Sequence, residues 1–595
     1  MPQYQAPVKD MKFILHDWLK VTQLYSRLGL DEAADKNLVN AVIDEAAKFA
    51  ENQISPLNHI GDQQSCQFDN GQVKTPDGFK QAYKQYCDAG WASLRFPPKY
   101  GGQGLPPSLA ICVSEMNTSA NTSWSMYPGL THGVISALLA HGNDELKDTY
   151  LPNLIQGRWT GTMCLTEAHC GSDLGLLKTK AEPTNSNHFN ITGTKIFISA
   201  GEHDISDNII HLVLARLPDA PAGTRGISLF VVPKILDESL ATPNHSNSSD
   251  NQVNCGSIEH KMGIKASSTC VINFDQSKGY MIGEPNKGLS YMFTMMNSAR
   301  LATGIQGYAI ADLSRSASLD YAKNRLQMRS LSGAKAPDKP ADPIIVHPDV
   351  KRMLFSQKSL VEGCRGLAFY VATLIDQVKY KADPDGSIEL RLSLLTPICK
   401  AFMSEVGFES TNHAVQVLGG HGFISEWQLE QQVRDARITM IYEGTNGIQA
   451  LDFLGRKVLR DQAKTLIAWI SEIKDLAKPQ LENNELKNAA NTISSLCDQW
   501  LELTQQIALN AQSNMEEVGA AAFDFLMYSG YVSVAHTLLQ MAATAQISDC
   551  SEGFSLAKKQ TLNFYVDRIL PRTSTHKAAI LSGCENLECV DFGLG

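Results

Sequence analysis

The chain has 595 residues, 43% of them hydrophobic and 19% charged, which fits an ordinary globular protein with several domains and a large core. Its formal charge of -10 argues against a general nucleic-acid binder, which carries a basic surplus, but leaves room for local basic patches that hold a phosphorylated ligand. The thirteen cysteines contain no C-x-x-C pair, and Cys164/Cys170 and Cys584/Cys589 lack zinc-ribbon spacing. Reduced thiols in a cytoplasmic protein, with no metal site, are therefore expected.

Residues 1–11 lack the basic-then-apolar order of a secretory signal, and no apolar run reaches the length of a membrane span. Residues 1–160 read mostly as helices. Within 31–49, Leu38, Val42, Ala46 and Phe49 recur at helical intervals behind Asp31, placed to cap the start. A turn-rich stretch, 96–104, interrupts this pattern.

From 161 to 280 the texture becomes that of strands. Residues 189–199 are rich in β-branched and aromatic types, and 207–217 and 226–232 are further candidates. The Asn/Ser-rich stretch 237–256 reads as an insertion loop. Residues 281–456 return to helix. A second insertion, 330–347, carries Pro337, Pro340 and Pro343, with Pro348 close after, and cannot be one regular helix. The helix before Gly419 aligns Thr411, Ala414, Val415 and Leu418 on one face. In 457–595 the stripe Leu466, Trp469, Ile470, Ile473 and Leu476 reads as a packed helix face rather than a membrane anchor.

The order of helices, strands, helices and a helical tail indicates an α+β chain: an N-terminal helical domain 1–160 (1–35 an extension), a β domain 161–280, a helical domain 281–456 and an additional helical domain 457–595. No G-x-G-x-x-G opens a helix after a strand, so a Rossmann nucleotide site is not expected. One carboxylate stands apart. In Ile441-Tyr442-Glu443-Gly444-Thr445-Asn446-Gly447, Glu443 sits between an apolar run and a glycine turn, downstream of a helix that stops at Gly419-Gly420-His421-Gly422. A carboxylate in such surroundings can have a raised pKa and act as a base on a weakly acidic C–H.

Four segments, in order, resemble the acyl-CoA dehydrogenase family. Leu165-Thr166-Glu167-Ala168-His169-Cys170-Gly171-Ser172-Asp173 is similar to its L-T-E-x-x-x-G-S-D flavin motif, and Lys195-Ile196-Phe197-Ile198-Ser199 to the strand that meets the isoalloxazine. Gln416-Val417-Leu418-Gly419-Gly420-His421-Gly422-Phe423 resembles its Q-x-x-G-G-x-G-[FY] turn, and Arg434-Asp435-Ala436 leads into an I-Y-E-G-T string at 441–445. Lys261-Met262-Gly263 and Asn286-Lys287-Gly288-Leu289 fit between them.

The resemblance implies the family fold, with a central β-barrel or sheet domain and a four-helix bundle at 281–456 carrying the base. It implies an FAD enzyme that forms a trans double bond between Cα and Cβ of an acyl-CoA thioester. Glu443 matches the base that removes the α-proton while a hydride passes to flavin N5. The alternative position in the family, just before an arginine, is Ala299 here, which offers no carboxylate. Leu165, Thr166, Gly171, Ser172, Phe197, Ser199 and Thr445 match flavin contacts. Phe197 and Ser199 stand where the family often has Trp and Thr. Arg325 resembles the arginine that reaches a neighbouring subunit's FAD pyrophosphate, although the usual R-x-x-F-G is absent. Gln416, Gly419 and Gly420 would line the adenosine or pyrophosphate end across that interface. Ser172, Arg300, Tyr442, Glu443 and Gly444 match the substrate side. Arg434 and Asp435 read as structural ion-pair residues, and His421 as a neighbour of the site, not a second base.

The opening pattern Tyr4, Ala6, Pro7, Asp10, Met11, Phe13, Leu15 and the long tail resemble a bacterial long-form subgroup. That subgroup includes 3-methylthiopropionyl-CoA dehydrogenases and enzymes for medium to long fatty acyl-CoAs. It implies a homodimer and electron-transfer flavoprotein as acceptor. An acyl-CoA oxidase using oxygen shares the fold and base. A flavin-bearing DNA-associated protein of the same fold is disfavoured by the acidic balance.

Overall fold

The computed structural model describes residues 4–236 and 250–588. Their contacts fall into two compact units: Phe49–Leu105 with Ala120–Ala299, and Met1–Lys48 with Pro106–Ser119 and Arg300–Gly595. The stretch expected as one N-terminal helical domain is thus shared between two units. Helices and strands are segregated along the chain, as an α+β architecture requires.

In the first unit, Asn121 and Asn143 cap the helices Thr122–His141 and Asp144–Ile155 through their side-chain oxygens. The strands are β1 (Gln67–Asp69), β2 (Gln72–Lys74), β3 (Trp159–Cys164), β4 (Lys180–Pro183), β5 (Phe189–Ser199), β6 (Asn208–Arg216), β7 (Ile227–Pro233), β8 (Val253–Ile258) and β9 (Thr269–Ile282). The hairpin β1–β2 was not read from sequence. Its turn, Asn70-Gly71, has both residues at positive φ, the left-handed pair that a two-residue hairpin needs.

The other seven strands form one sheet. The pairings β6–β4, β4–β5, β5–β9, β9–β7 and β7–β6 close on themselves, with β3 added on β6 and β8 on β9. β6 and β7 are buried on both faces: Ile210, Leu212, Leu229 and Val231 enter one core, and Val213, Phe230 and Val232 another. The supposed insertion 237–256 is corrected in part. Residues 253–256 belong to β8, where Val253 and Cys255 alternate inward beneath a polar composition, while 237–249 lie outside the described residues.

In the second unit, the helix expected from 31 runs Lys36–Phe49 and begins at Asp35, whose Oδ1 accepts from Asn37 N at 2.8 Å. Its buried face is Val39, Ile43, Ala46 and Ala47, turned one residue from the expected Leu38, Val42 and Phe49. Residues 330–347 hold no α-helix. Buried Asp342 gathers them by accepting from the Ser330, Lys335 and Ala336 N–H groups at 2.7–2.9 Å, which holds its carboxyl down to about 2.

The helices Gly288–Asn324 and Ser387–Leu418 touch backbone to backbone. A Cβ on Gly304 would lie 2.3 Å from Cys399 O, and one on Gly407 2.3 Å from Gly307 O. In the tail, Leu466, Trp469, Ile470 and Ile473 are buried as expected, whereas Leu476 is 42% exposed. Glu516–Ile547 packs against Pro348–Lys379, Ser387–Leu418, Lys487–Asn510 and Arg572–Leu581. It is also long and apolar enough to cross a membrane, contrary to the reading that no such run exists, but most of that window is buried inside the fold. Tyr528, Ser529 and Ser533 break its apolar run in sequence.

A buried ion network ties the N-terminal segment into this unit. Arg365 donates to Asp10, Glu115 and Asp312 at 2.7–3.0 Å, and Lys558 pairs with Asp10 and with Glu362. Met11, Phe13, Ile14 and Leu15 are buried beside it in sequence.

Candidate active site

The turn that carries Glu443 is held from three sides. Glu443 and Gly444 have φ of 57° and 84°, a left-handed pair that costs about 1–3 kcal/mol at the non-glycine position. Gln449 Nε2 donates to Glu443 O at 3.1 Å, and Thr445 Oγ1 accepts from Ile448 N at 3.3 Å, capping the helix Asn446–Leu451. Tyr442 donates its hydroxyl to Gln306 Oε1 on the helix Gly288–Asn324. Glycine suits position 444 because φ is 84° there and a Cβ would meet Gln449 Nε2 at 2.6 Å, pushing aside the amide that holds Glu443 O.

Glu443 retains some surface as a residue, but Oε2 is buried with no hydrogen-bond partner among the described residues. Burial raises its carboxyl to about 7; the Arg300 guanidinium and the Lys400 ammonium pull it back down. Lys400 has no exposed surface and donates to Asn446 Oδ1 at 2.8 Å. Burial pushes this ammonium down to about 7, against Glu443 and Glu405, which pull it up. Asn446 Nδ2 in turn donates to Ser404 Oγ at 3.0 Å and Glu405 Oε1 at 2.8 Å. Arg300 is buried and lies 3.7 Å from Asp452.

At the other end of Ser387–Leu418, Gly419 turns the chain at φ 60°, and Gln416, Gly419 and Gly420 are exposed. Arg325 follows directly after the helix Gly288–Asn324 and is also exposed. The two ends are joined, since Tyr321 Oη lies 2.8 Å from His421 Nδ1 and His421 stacks on Trp427. Arg434 pairs with Glu430 at 2.5 Å, and Asp435 accepts from Gln431 at 3.2 Å, both contacts lying within the helix Leu429–Arg437.

In the β-containing unit, β5 bulges between Lys195 and Ile198 against β9. Phe197 sits in the bulge at φ 57° and is 58% exposed, a strained aromatic held out of the core. Ile196 N donates to Thr166 O at 2.9 Å, joining the bulge to the turn 165–173, where Leu165 is buried, Thr166 and Ser199 half-buried, and Gly171 and Ser172 exposed. Lys195 is fully buried and donates to Leu165 O at 3.0 Å and Glu167 Oε1 at 2.9 Å.

Glu167, His169 and Cys170 bring one possible metal-ligand atom each within 4.8 Å of one another. The Glu167 oxygens, however, already accept from Lys195, Thr179 and Lys178 N. The described cysteines are all free thiols.

Lys400, Asn446, Gln449 and Asp452 around Glu443, and the Lys195–Glu167 pair, were not singled out from sequence. A lone lysine in Thr396-Pro397-Ile398-Cys399-Lys400-Ala401-Phe402 was the one available signal.

The chain matches the acyl-CoA dehydrogenase N-terminal domain over residues 39–158, the middle domain over 162–277 and the C-terminal domain over 286–459. A further match, to an acetyl-CoA dehydrogenase C-terminal-like domain, covers residues 469–590. A 3-methylmercaptopropionyl-CoA dehydrogenase of Ruegeria pomeroyi is 40% identical, over 98% of this chain and 99% of the relative. A broad-specificity linear acyl-CoA dehydrogenase of Mycobacterium tuberculosis is 31% identical over 98% of each. An acyl-CoA dehydrogenase from Bacillus anthracis, solved in complex with FAD, shares the fold at a TM-score of 0.75 and 20% identity, over 92% of this chain and 88% of that one. The chain belongs to the acyl-CoA dehydrogenase family, a family of FAD-dependent oxidoreductases.

Proposed function

We propose that this protein removes two hydrogens across Cα–Cβ of an acyl-CoA thioester, with Glu443 as the base that takes the α-proton. The observation that carries the reading is the Glu443 carboxylate itself, buried at Oε2, held in a strained turn and raised to about 7. A base poised near the working pH is best matched to proton abstraction, and burial strips it of the water that would compete for the charge.

The residues fit an FAD. Phe197 offers an exposed aromatic face, Thr166 and Ser199 offer hydroxyls, and Gly171 and Ser172 offer open backbone beside buried Leu165. When bound, FAD supplies the hydride acceptor for the β-hydrogen. In the other unit, Arg325, Gln416, Gly419 and Gly420 form an exposed, glycine-opened surface suited to a pyrophosphate, and a second copy of the chain would present its own flavin there; this supports a homodimer. Thr445 serves the flavin side through the turn that it caps.

For the substrate, the β-containing unit offers the accessible Ser172 hydroxyl; in the helical unit Gly444 gives the turn its left-handed backbone, Tyr442 is fixed by Gln306, and Arg300 acts through its charge. The α-proton goes to Glu443, the β-hydrogen leaves with its electron pair, and the electrons of the α-C–H bond form the trans double bond. Electron-transfer flavoprotein is the proposed acceptor, and the free thiols are compatible with a cytoplasmic setting.

The acyl group is proposed to be 3-methylthiopropionyl or a linear chain, from the substrates in the two relatives' names, with medium to long chains expected from the sequence resemblance. A panel of 3-methylthiopropionyl-CoA and straight-chain acyl-CoAs with an artificial electron acceptor ranks these. Glu443→Gln keeps the size of the side chain but removes the base. It should leave FAD bound while anaerobic bleaching of the flavin by acyl-CoA is lost by about 100-fold or more. Bleaching at the unaltered rate would overturn the assignment.

A further inference from the structure

Two cations flank Glu443, and they are not equivalent. Arg300, from the helix Gly288–Asn324, is drawn toward Asp452 at 3.7 Å, and Asp452 also holds Arg456 at 2.5 Å. Lys400, from the helix Ser387–Leu418, donates instead to a neutral amide oxygen, Asn446 Oδ1. Its charge is therefore left to act on the two carboxylates around it, Glu443 from the turn and Glu405 from its own helix. Glu405 is held through Asn446 Nδ2 and faces Arg437, and Tyr442 and Asp435 complete the ionisable groups around the turn.

The backbone geometry makes this arrangement rigid. The helix bearing Lys400 meets the helix bearing Arg300 at Gly304, where the Cys399 carbonyl fills the space of a Cβ. Lys400 follows Cys399 directly, so the ammonium enters from a fixed point. Asn446 is the first residue of the helix that Thr445 caps, three residues beyond Glu443.

We propose that Lys400 is a positioning residue for the proton abstraction: its buried ammonium anchors the Asn446 end of the catalytic turn and supplies the positive charge that keeps the Glu443 carboxylate ionised to receive the α-proton. This rests on the reading of Glu443 as the base. A buried carboxylate in the low-dielectric interior is driven toward its neutral form, and a neutral Glu443 cannot accept a proton. A cation within the same buried region opposes that drive, and does so most strongly when no carboxylate is directly paired with it.

The test is the pH profile of anaerobic flavin bleaching by 3-methylthiopropionyl-CoA and octanoyl-CoA in the holoenzyme, read beside FAD content. Lys400→Gln keeps a donor toward Asn446 without the charge, Lys400→Met removes both, and Lys400→Arg keeps the charge. The uncharged variants should retain FAD, lose about tenfold or more in rate near neutral pH, and recover at alkaline pH, with the midpoint moved up by about one to three pH units. Lys400→Arg should keep the midpoint close to that of the unaltered enzyme.

Rates lowered equally at every pH, with an unmoved midpoint, would overturn the proposal and leave Lys400 a packing residue. If the uncharged variants yield no folded holoenzyme, Asn446→Asp sets a carboxylate against the ammonium. It must give the same upward shift, and an unmoved midpoint there overturns the proposal equally. Undiminished bleaching by Glu443→Gln would instead remove the base assignment itself, whatever the Lys400 variants show.

Discussion

Lys195 Nζ stands 2.9 Å from Glu167 Oε1 and 3.0 Å from Leu165 O, with its side chain fully buried. One ammonium thus fastens the bulged strand that presents Phe197 to the turn that carries Thr166, and the two must keep a fixed relation. Lys195→Met removes this tie and leaves Glu167 buried without its cation. We expect FAD retention to fall, with the apparent dissociation constant rising about tenfold or more, since breaking a buried pair is costly. Flavin fluorescence during dilution or dialysis measures it; unchanged retention would show that the pair does not hold the flavin turn.

Asp376 gives a prediction about pH and stability. Its Oδ1 accepts from Ser108 N at 3.0 Å, Oδ2 has no partner among the described residues, and burial raises the carboxyl to about 7. Because the folded-state value lies above the unfolded one, the stability associated with this group is fully present below the unfolded value and is lost as pH rises through about 7. Asp376→Asn keeps the acceptor and removes the charge. Its thermal midpoint should exceed that of the unaltered protein most at pH above about 7, with the gap narrowing as pH falls and closing only below about pH 4, the range of an ordinary Asp. Parallel curves in scanning calorimetry at every pH would contradict this.

Glu443 should show the same sign for the same reason, since burial raises it to about 7. Glu443→Gln is expected to stabilise the fold above neutral pH by up to about 3 kcal/mol, since each tenfold change in proton affinity is worth about 1.4 kcal/mol, while abolishing turnover. Denaturant unfolding of the two proteins at about pH 8 and about pH 5 decides it. A smaller gain at about pH 5 than at about pH 8 fits the charge effect, and an equal gain at both would point to packing instead.

Arg365 holds Asp10, Glu115 and Asp312 together. Arg365→Gln leaves three carboxylates around an uncharged amide, and breaking a buried charge network of this kind costs about 3–5 kcal/mol. Urea unfolding should shift by that amount, and protease should cut earliest in the N-terminal segment. A shift below about 1 kcal/mol would mean that water or rearrangement compensates the carboxylates.

Gly444→Ala tests the turn. The added methyl would meet Gln449 Nε2 at 2.6 Å, and φ of 84° is strained for alanine. Turnover should drop by about tenfold or more with FAD content unchanged, because a small displacement of a reacting group is enough for such a loss. Unchanged kcat would show that the turn tolerates the shift.

Three strands of the β-containing unit were legible because their residues advertise themselves, whereas β3, β4 and the long β9 were not picked out. β5, β6 and β7 lie within a residue or two of their expected bounds, as β-branched runs set off by polar turns. β8 was hidden, because its inward Val253 and Cys255 sit beside a polar insertion and alternate over too few positions. The face of Lys36–Phe49 was misjudged by one residue, since Leu38/Val42 and Val39/Ile43 are equally apolar stripes and only packing chooses between them. The grouping of residues 1–48 with the tail could not be read, since it depends on ion pairs between side chains hundreds of residues apart.

At the site, Glu443 stood out as a lone carboxylate in an apolar and glycine setting. Its electrostatic surroundings did not, because Lys400 and Arg300 come from two other helices that meet through close backbone approaches such as the one at Gly304. Sequence spacing carries no record of that crossing. The raised value of the carboxylate was foreseeable in direction from burial; Arg300 was named, though only on the substrate side, and Lys400 was not foreseen.

The tie between Asp10 and Lys558 has a consequence for how the chain is made. The acidic partner leaves the ribosome 548 residues before the basic one. At about 5–20 residues per second, the segment around Met11, Phe13 and Leu15 waits about half a minute to two minutes for the helix that completes its burial. Throughout that interval its apolar side chains have no finished surface to cover them, so the nascent chain is at its most vulnerable at its oldest end. Stalled chains that stop short of Lys558 should be clipped by protease near that segment, and released full-length chains should resist; protection in the stalled chains would mean that the segment is shielded before the tail arrives.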